Sequence, residues 1–215
     1  MSTARIKPPS GVVAVIRTVD PTEAEVVAIG LAQAGISTIE ITLTIPHAVD
    51  VIRHLRDKVE VTIGAGTVRD AVSARACLDA GAQFLVSPNT VPGVIEVGLA
   101  AGVGVIAGGL TPTEVAKAWD MGVSAVKVFP VNAVGGASYI RSLAEPLPDV
   151  LFVVSGGITI SDVRDYLMAG CSAVCLGPEM VDKNGAATRD TEAIAKYARR
   201  VLTGVPGFTP SEERV

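Results

Sequence analysis

Eight short, β-branched apolar runs recur along the 215-residue chain at intervals of a little over twenty residues. They are VVAVIR (12–17), TIEITL (38–43), VTIGAG (61–66), QFLVSP (83–88), GVIAGG (104–109), AVKVFP (125–130), LFVVSG (151–156) and AVCLGP (173–178). Between them lie stretches with helical periodicity and helix-start signals, such as Asp20-Pro21-Thr22-Glu23, Thr111-Pro112-Thr113-Glu114 and Ser161-Asp162. These stretches close on Gly35, Gly81, Gly102, Gly122 and Gly170, the residue type that a left-handed helix terminus prefers. Strands that are apolar nearly throughout and separated by helices imply a parallel sheet covered by helices. Eight such units predict closure into a single-domain (β/α)8 TIM barrel over residues 1–215, with a loosely held tail from about 203. A doubly wound open sheet fits less well. It would carry a glycine-rich loop after its first strand, where this chain has Arg17-Thr18-Val19-Asp20.

Composition narrows the function by exclusion. At 49% hydrophobic residues the chain has ample material for a core, which rules out disorder. Its 18 basic residues are scattered and its formal net charge is −4, which speaks against a nucleic-acid surface. No apolar run approaches the roughly 20 residues needed to span a bilayer. Met1 to Ser10 lacks a signal-peptide core, so a cytoplasmic protein without a membrane partner is expected. Cys77, Cys171 and Cys175 are odd in number and set in apolar sequence, which predicts packing rather than disulfides. His47 and His54 have no glutamate or cysteine at ligand spacing around them, so they read as a surface pair. Neither a metal nor a cofactor is expected.

In a barrel of this kind chemistry sits at the C-terminal ends of the strands. Those ends carry Arg17, then Glu40 with Thr42 and Thr44, then Thr67, then Ser87-Pro88-Asn89. Lys127 with Phe129-Pro130, Ser155-Gly156-Gly157 and Gly177-Pro178-Glu179 complete the circuit. Side chains alternate between faces along a strand. Ile39, Ile41 and Leu43 on one side, and Val126 and Val128 on the other, form wholly apolar helix-facing sets. Glu40 and Lys127 therefore point into the barrel.

Lys127 is the one lysine of six that lies inside an apolar strand. A lysine taken out of water holds its charge less firmly, and a neutral amine can attack a ketone to form a Schiff base. Such an adduct stores the electrons released when a carbon–carbon bond breaks. The alternative is a purely structural Lys–Glu pair, which is expensive to desolvate. Glu40, the only acidic residue in any of the eight runs, suits the proton transfers that Schiff-base chemistry needs. Arg17 could grip a substrate carboxylate through paired hydrogen bonds, or simply snorkel at the rim. Thr67 could add a hydroxyl contact, or cap the helix that follows it.

In these pieces the chain resembles the 2-keto-3-deoxy-6-phosphogluconate aldolase and 4-hydroxy-2-oxoglutarate aldolase family, over nearly its whole length. The matching segments are Ala14-Val15-Ile16-Arg17, Glu40-Ile41-Thr42-Leu43-Thr44, Gly64-Ala65-Gly66-Thr67, Ser87-Pro88-Asn89, Lys127-Val128-Phe129-Pro130 and Gly156-Gly157-Ile158. The resemblance implies a class I, metal-independent aldolase that releases pyruvate from a 2-keto-3-deoxy acid, working as a homotrimer. It implies Lys127 as the Schiff-base lysine and Glu40 as the general acid/base. Arg17 and Thr67 would hold the pyruvate carboxylate, and Phe129 would pack beside the lysine. Pro88, Ser155, Gly156 and Gly157 fall at further substrate-binding positions.

The departures from the family pattern are equally specific. Thr44 stands where some members have an arginine, Ser155 replaces a threonine, and Ala107 replaces a proline. At the eighth run phosphate-binding members show Gly-Ser, whereas this chain has Gly177-Pro178-Glu179. Proline lacks an amide donor and a carboxylate repels a phosphate dianion, which moves weight toward an unphosphorylated or differently charged aldehyde half, although Gly156-Gly157 and the start of the next helix could still hold phosphate through backbone amides. A sugar-phosphate epimerase or isomerase, a divalent-metal aldolase and a non-catalytic barrel are the competing readings. The first needs facing acid/base groups, the second needs ligands, and the third has no use for a buried charge pair.

Overall fold

The computed structural model describes residues 5–211. The strands are β1 (Gly11–Ile16), β2 (Thr38–Thr42), β3 (Thr62–Gly66), β4 (Phe84–Val86), β5 (Gly104–Gly108), β6 (Ala125–Val128), β7 (Phe152–Val154) and β8 (Cys171–Leu176). They alternate with helices α1 (Pro21–Ala34), α2 (Ala48–Arg56), α3 (Ala71–Asp79), α4 (Pro92–Ala100), α5 (Pro112–Asp120), α6 (Gly136–Ala144) and α7 (Val163–Met168). After β8 come α8 (Lys183–Thr188) and α9 (Thr191–Leu202). The sheet closes in sequence order, β1 through β8, and β8 pairs in parallel with β1. This is the (β/α)8 TIM barrel expected from the eight runs.

Local chemistry explains where the helices begin. Asp20 accepts the Thr22 amide ahead of Pro21, and Thr111 and Glu114 form a reciprocal capping box. At the seventh unit the cap is Thr159 paired with Asp162, earlier than the Ser161-Asp162 signal suggested. A 3-10 turn at Ile160–Asp162 takes the first residues and leads into α7. The five helix-closing glycines all have positive φ, from 70° at Gly102 to 111° at Gly35. The runs overreach the strands at several C-terminal ends: β4 stops at Val86 and β7 at Val154. There the chain peels outward into the loops that form the mouth of the barrel.

The packing has two layers. Ile39, Ile41, Val126 and Val128 belong to the large core between strands and helices. A smaller cluster, built on Val13, Phe84, Ile106, Val153 and Cys175, fills the inside of the barrel. β3 makes that filling possible by placing two glycines on the inner face. A Cβ at Gly64 would lie 2.2 Å from the Phe84 ring, and one at Gly66 would lie 2.0 Å from Glu40 Oε1. The cysteines are all buried and free, and Cys77 and Cys171 pack in the outer core. The tail, expected to hang loosely from 203, lies against the underside of the barrel through residue 211. Ser211 donates to the Gln33 carbonyl, and Gly207 approaches Gly11 so closely that a Cβ on Gly11 would sit 2.7 Å from the Gly207 oxygen. Residues 212–215 of that tail lie outside the described residues. Among the described residues no helix is long and apolar enough to cross a membrane.

Phe84 is 3% exposed and fills the space beside Gly64. Phe84→Ala should lower unfolding stability by about 3–5 kcal/mol with little change in denaturant slope, read from a urea titration.

Candidate active site

Lys127 is 7% exposed and Glu40 1% exposed, on β6 and β2 respectively. Strand register sets their height in the barrel. Lys127 pairs with Gly108 of β5 and Val153 of β7, and Glu40 with Val15 of β1 and Gly64 of β3. Both side chains turn inward, as alternation requires, and Lys127 Nζ stands 3.8 Å from Glu40 Oε1. That separation is longer than a hydrogen bond. Both oxygens of the Glu40 carboxylate are fully buried without a hydrogen-bond partner. A structural ion pair normally has its remaining lone pairs satisfied, since an uncompensated buried charge is costly. Here the carboxylate faces the amine with its acceptors free, an arrangement suited to taking up and returning a proton.

A cleft of about 840 Å³ opens on the β1, β7 and β8 side of the barrel mouth, and neither Lys127 nor Glu40 is among the residues that line it. Arg17, Phe129, Ser155, Gly156, Gly157 and Cys175 line it. The Phe129 ring is 43% exposed, with its centroid 5.8 Å from Lys127 Nζ. Arg17 is exposed on the cleft wall and has no ion-pair or hydrogen-bond partner among the described residues. Gly156 sits at φ 98°, and a Cβ there would press to 2.9 Å from both the Phe129 ring and Pro130 Cα. Only glycine lets the loop after β7 lie this close to the aromatic wall.

Thr67 and Pro88, at the ends of β3 and β4, lie outside the lining of that cleft. Thr67 adopts φ 58°, a left-handed conformation that is rare for a β-branched residue and is strained wherever it occurs. The helix-capping role considered for Thr67 is overturned. Asp70 caps α3 by accepting the Ser73 amide at 2.7 Å, so Thr67 is left for another task. Ser87, quoted in the sequence only as part of a motif, holds this loop. Its buried hydroxyl donates to the Val68 carbonyl at 2.7 Å, next to Thr67. Asn132 holds the loop on the other side. Its side-chain amide donates to the Gly157 carbonyl, and its own carbonyl accepts the Tyr166 hydroxyl. Neither Asn132 nor Tyr166 stands out in the sequence, because their meeting depends on two elements far apart in the chain.

Cys175 also faces the inside of the barrel. Burial pushes its thiol up to about 12, with the Glu40 carboxylate raising it further and Lys127 opposing the rise. It stays a neutral thiol beside the pair and is no nucleophile. His47 and His54 are exposed, and His54 Nδ1 lies 2.9 Å from Glu25 Oε1. Among the described residues no cluster of His, Cys, Asp and Glu is placed to hold a metal ion.

A closed parallel barrel with a buried amine and one carboxylate at the C-terminal ends of its strands has the layout of a TIM-barrel enzyme. Comparison with known proteins narrows the class. A family model for KDPG and KHG aldolases matches residues 4–197. The chain is 34% identical over 173 residues to the 2-dehydro-3-deoxy-phosphogluconate aldolase of Treponema pallidum, covering 80% of this chain and 82% of that one. It is 33% identical over 176 residues to the KHG/KDPG aldolase of Escherichia coli K12, with 81% and 82% covered. Its fold superposes on the KDPG aldolase of Legionella pneumophila, solved with pyruvate captured as a covalent carbinolamine. The TM-score is 0.77 at 26% identity, with 89% of this chain and 94% of that one covered. The chain belongs to the KDPG and KHG aldolase family and is a carbon–carbon lyase. The family works through a lysine Schiff base, and these relatives do not favour the epimerase or non-catalytic readings.

Two measurements check this geometry. The three thiols are raised from the ordinary 9.0 to about 11 at Cys77 and about 12 at Cys171 and Cys175, by burial. Folding that binds these protons more tightly is favoured fully below pH 9.0 and loses that contribution as pH rises toward 12. Native protein at pH 8 should therefore resist alkylation at all three cysteines by intact mass, and the urea midpoint should fall above pH 9.0. Gly66→Ala should displace the Glu40 carboxylate, costing about 1–3 kcal/mol in a urea titration.

Proposed function

We propose that the protein reversibly cleaves a 2-keto-3-deoxy acid to pyruvate and an aldehyde, with Lys127 as the Schiff-base residue and Glu40 as the general acid/base. Substrates such as 2-keto-3-deoxy-6-phosphogluconate and 4-hydroxy-2-oxoglutarate belong to this class. The observation that carries the reading is the buried Lys127–Glu40 pair, 3.8 Å apart, with both Glu40 oxygens without a hydrogen-bond partner.

Lys127 passes a proton to Glu40 and attacks the C2 ketone, and Glu40 returns that proton to the carbinolamine hydroxyl, which leaves as water to give an iminium. The Glu40 carboxylate removes the proton of the C4 hydroxyl. The C3–C4 bond then breaks, and its electron pair moves into the iminium to give an enamine while the aldehyde departs. Glu40, now protonated, returns its proton to C3. Water hydrolyses the pyruvate iminium and frees the lysine, so the water lost earlier is restored. Arg17 and Thr67 hold the carboxylate of the pyruvate half, and Phe129 walls the reacting carbons. Ser155, Gly156 and Gly157, which line the cleft, hold the remainder of the substrate, and Pro88 is a substrate contact on the β4 side, outside that lining. The strain at Thr67 supports this assignment, since such backbone strain concentrates at functional sites.

No cofactor enters this scheme. We also propose the homotrimer that the resemblance implies, checked by light scattering at three times the chain mass. A cytoplasmic setting agrees with three buried free thiols.

Borohydride reduction in the presence of pyruvate should add one pyruvate-derived group at Lys127, mapped by peptide mass. No adduct, or one spread over surface lysines, overturns the reading. Lys127→Arg should abolish turnover, because guanidinium cannot serve as the nucleophile. Glu40→Gln should lower kcat by about 10²–10⁴ while still yielding the pyruvate adduct.

A further inference from the structure

Beyond Phe129 the cleft runs outward between β7 and β8 toward Ile158, Thr159, Gly177, Pro178 and Glu179. On the aldolase reading, an aldehyde half that passes the Phe129 ring, 5.8 Å from Lys127 Nζ, would lie along this wall. Two backbone amides on this wall, at the start of the turn before α7, already have carboxylate partners. The Thr159 amide donates to Asp162 Oδ2 at 2.8 Å. The Ile160 amide donates to Glu179 Oε2 at 3.0 Å, a contact that crosses from the end of β8 to the start of the seventh helical unit. Pro178 contributes no amide.

Charge tells the same story. The charged side chains lining the cleft are Arg17 and Lys183 against Glu23 and Glu179, which balance. The rest of the lining is largely apolar and includes the buried Val27, Leu31 and Ala186. A phosphate dianion placed here would meet the Glu179 carboxylate on the donor it needs, without an excess of cations to offset the repulsion.

We infer that Glu179 is a specificity-determining residue: its carboxylate takes the place of a substrate phosphate on the Ile160 amide, so the aldehyde half is unphosphorylated. This rests on the aldolase reading above and goes beyond it by choosing the substrate class. Glu179 acts here by exclusion, which is a common way to separate two substrates of similar shape. Through the Ile160 amide it also ties down the loop that bears Gly156 and Gly157.

The test compares 2-keto-3-deoxygluconate with its 6-phosphate, using the full-length protein. The wild type should favour the unphosphorylated acid by about tenfold or more in kcat/KM, and inorganic phosphate should not compete. Glu179→Gln removes the charge and keeps the shape, and Glu179→Ser removes both charge and bulk. Each should shift the ratio toward the phosphorylated acid, by about tenfold for Glu179→Ser, and make inorganic phosphate a competitive inhibitor. A purely structural role would change both substrates alike and leave the ratio unmoved, which overturns the inference. A wild type that prefers the 6-phosphate also overturns it, even if both variants fail to fold. Pyruvate trapping at Lys127 of the wild type separates the two levels, since it does not involve the aldehyde half. Trapping with phosphate preference removes only the role of Glu179, and absence of trapping removes the aldolase reading and this one together.

Discussion

Two opposite charges stand 3.8 Å apart inside a barrel otherwise filled by apolar side chains. Withdrawing each from water costs several kcal/mol, and a pair without supporting hydrogen bonds recovers that only in part. The surrounding fold has to make good the difference. It does so with two apolar layers, the outer one between strands and helices and the inner one below the pair. The closed sheet leaves no edge through which water could reach the pair from the side, so its route to solvent is the mouth. Reactivity and access are therefore set at one end of the molecule, and the other end is free to be stabilised by packing, including the tail against Gly11 and Gly35.

Glycine is the means by which the barrel accommodates this chemistry. Gly64 and Gly66 on β3 clear space for the Phe84 ring and the Glu40 carboxylate, and Gly156 lets the β7 loop lie against Phe129. Around the rim single hydrogen bonds hold the loops in place: Ser87 to Val68 beside Thr67, and Asn132 to Gly157 with Tyr166 behind it. Membership in the KDPG and KHG aldolase family agrees with the Schiff-base role proposed for Lys127. The Ile160 amide, donating to Glu179, ties the loop after β7 to the end of β8.

The architecture was legible because its signals are local and repeated. β-branched runs, capping residues and terminal glycines each report on a few neighbouring residues, and eight repetitions reinforce one another. The inward direction of Glu40 and Lys127 was legible for the same reason, since strand alternation is a property of the backbone. The capping role weighed for Thr67 was less so. Its hydroxyl and position suit a cap, but Asp70 lies nearer the first turn of α3 and accepts its amide. The same local ambiguity placed the seventh helical start at Ser161-Asp162 when Thr159 makes the capping box.

The sequence by itself determined the barrel, its single amine and carboxylate on inner faces, and the loss of an amide donor at Pro178. Each follows from the chemistry of one residue or from a short period. Only the tertiary structure decided that the amine and carboxylate meet, that Glu40 lacks other donors, and that Glu179 reaches the Ile160 amide. Lys127 and Glu40 come from β6 and β2, and Glu179 and Ile160 from successive units of the ring. Their separations depend on barrel closure and strand register, which arise from packing the whole chain around its two cores.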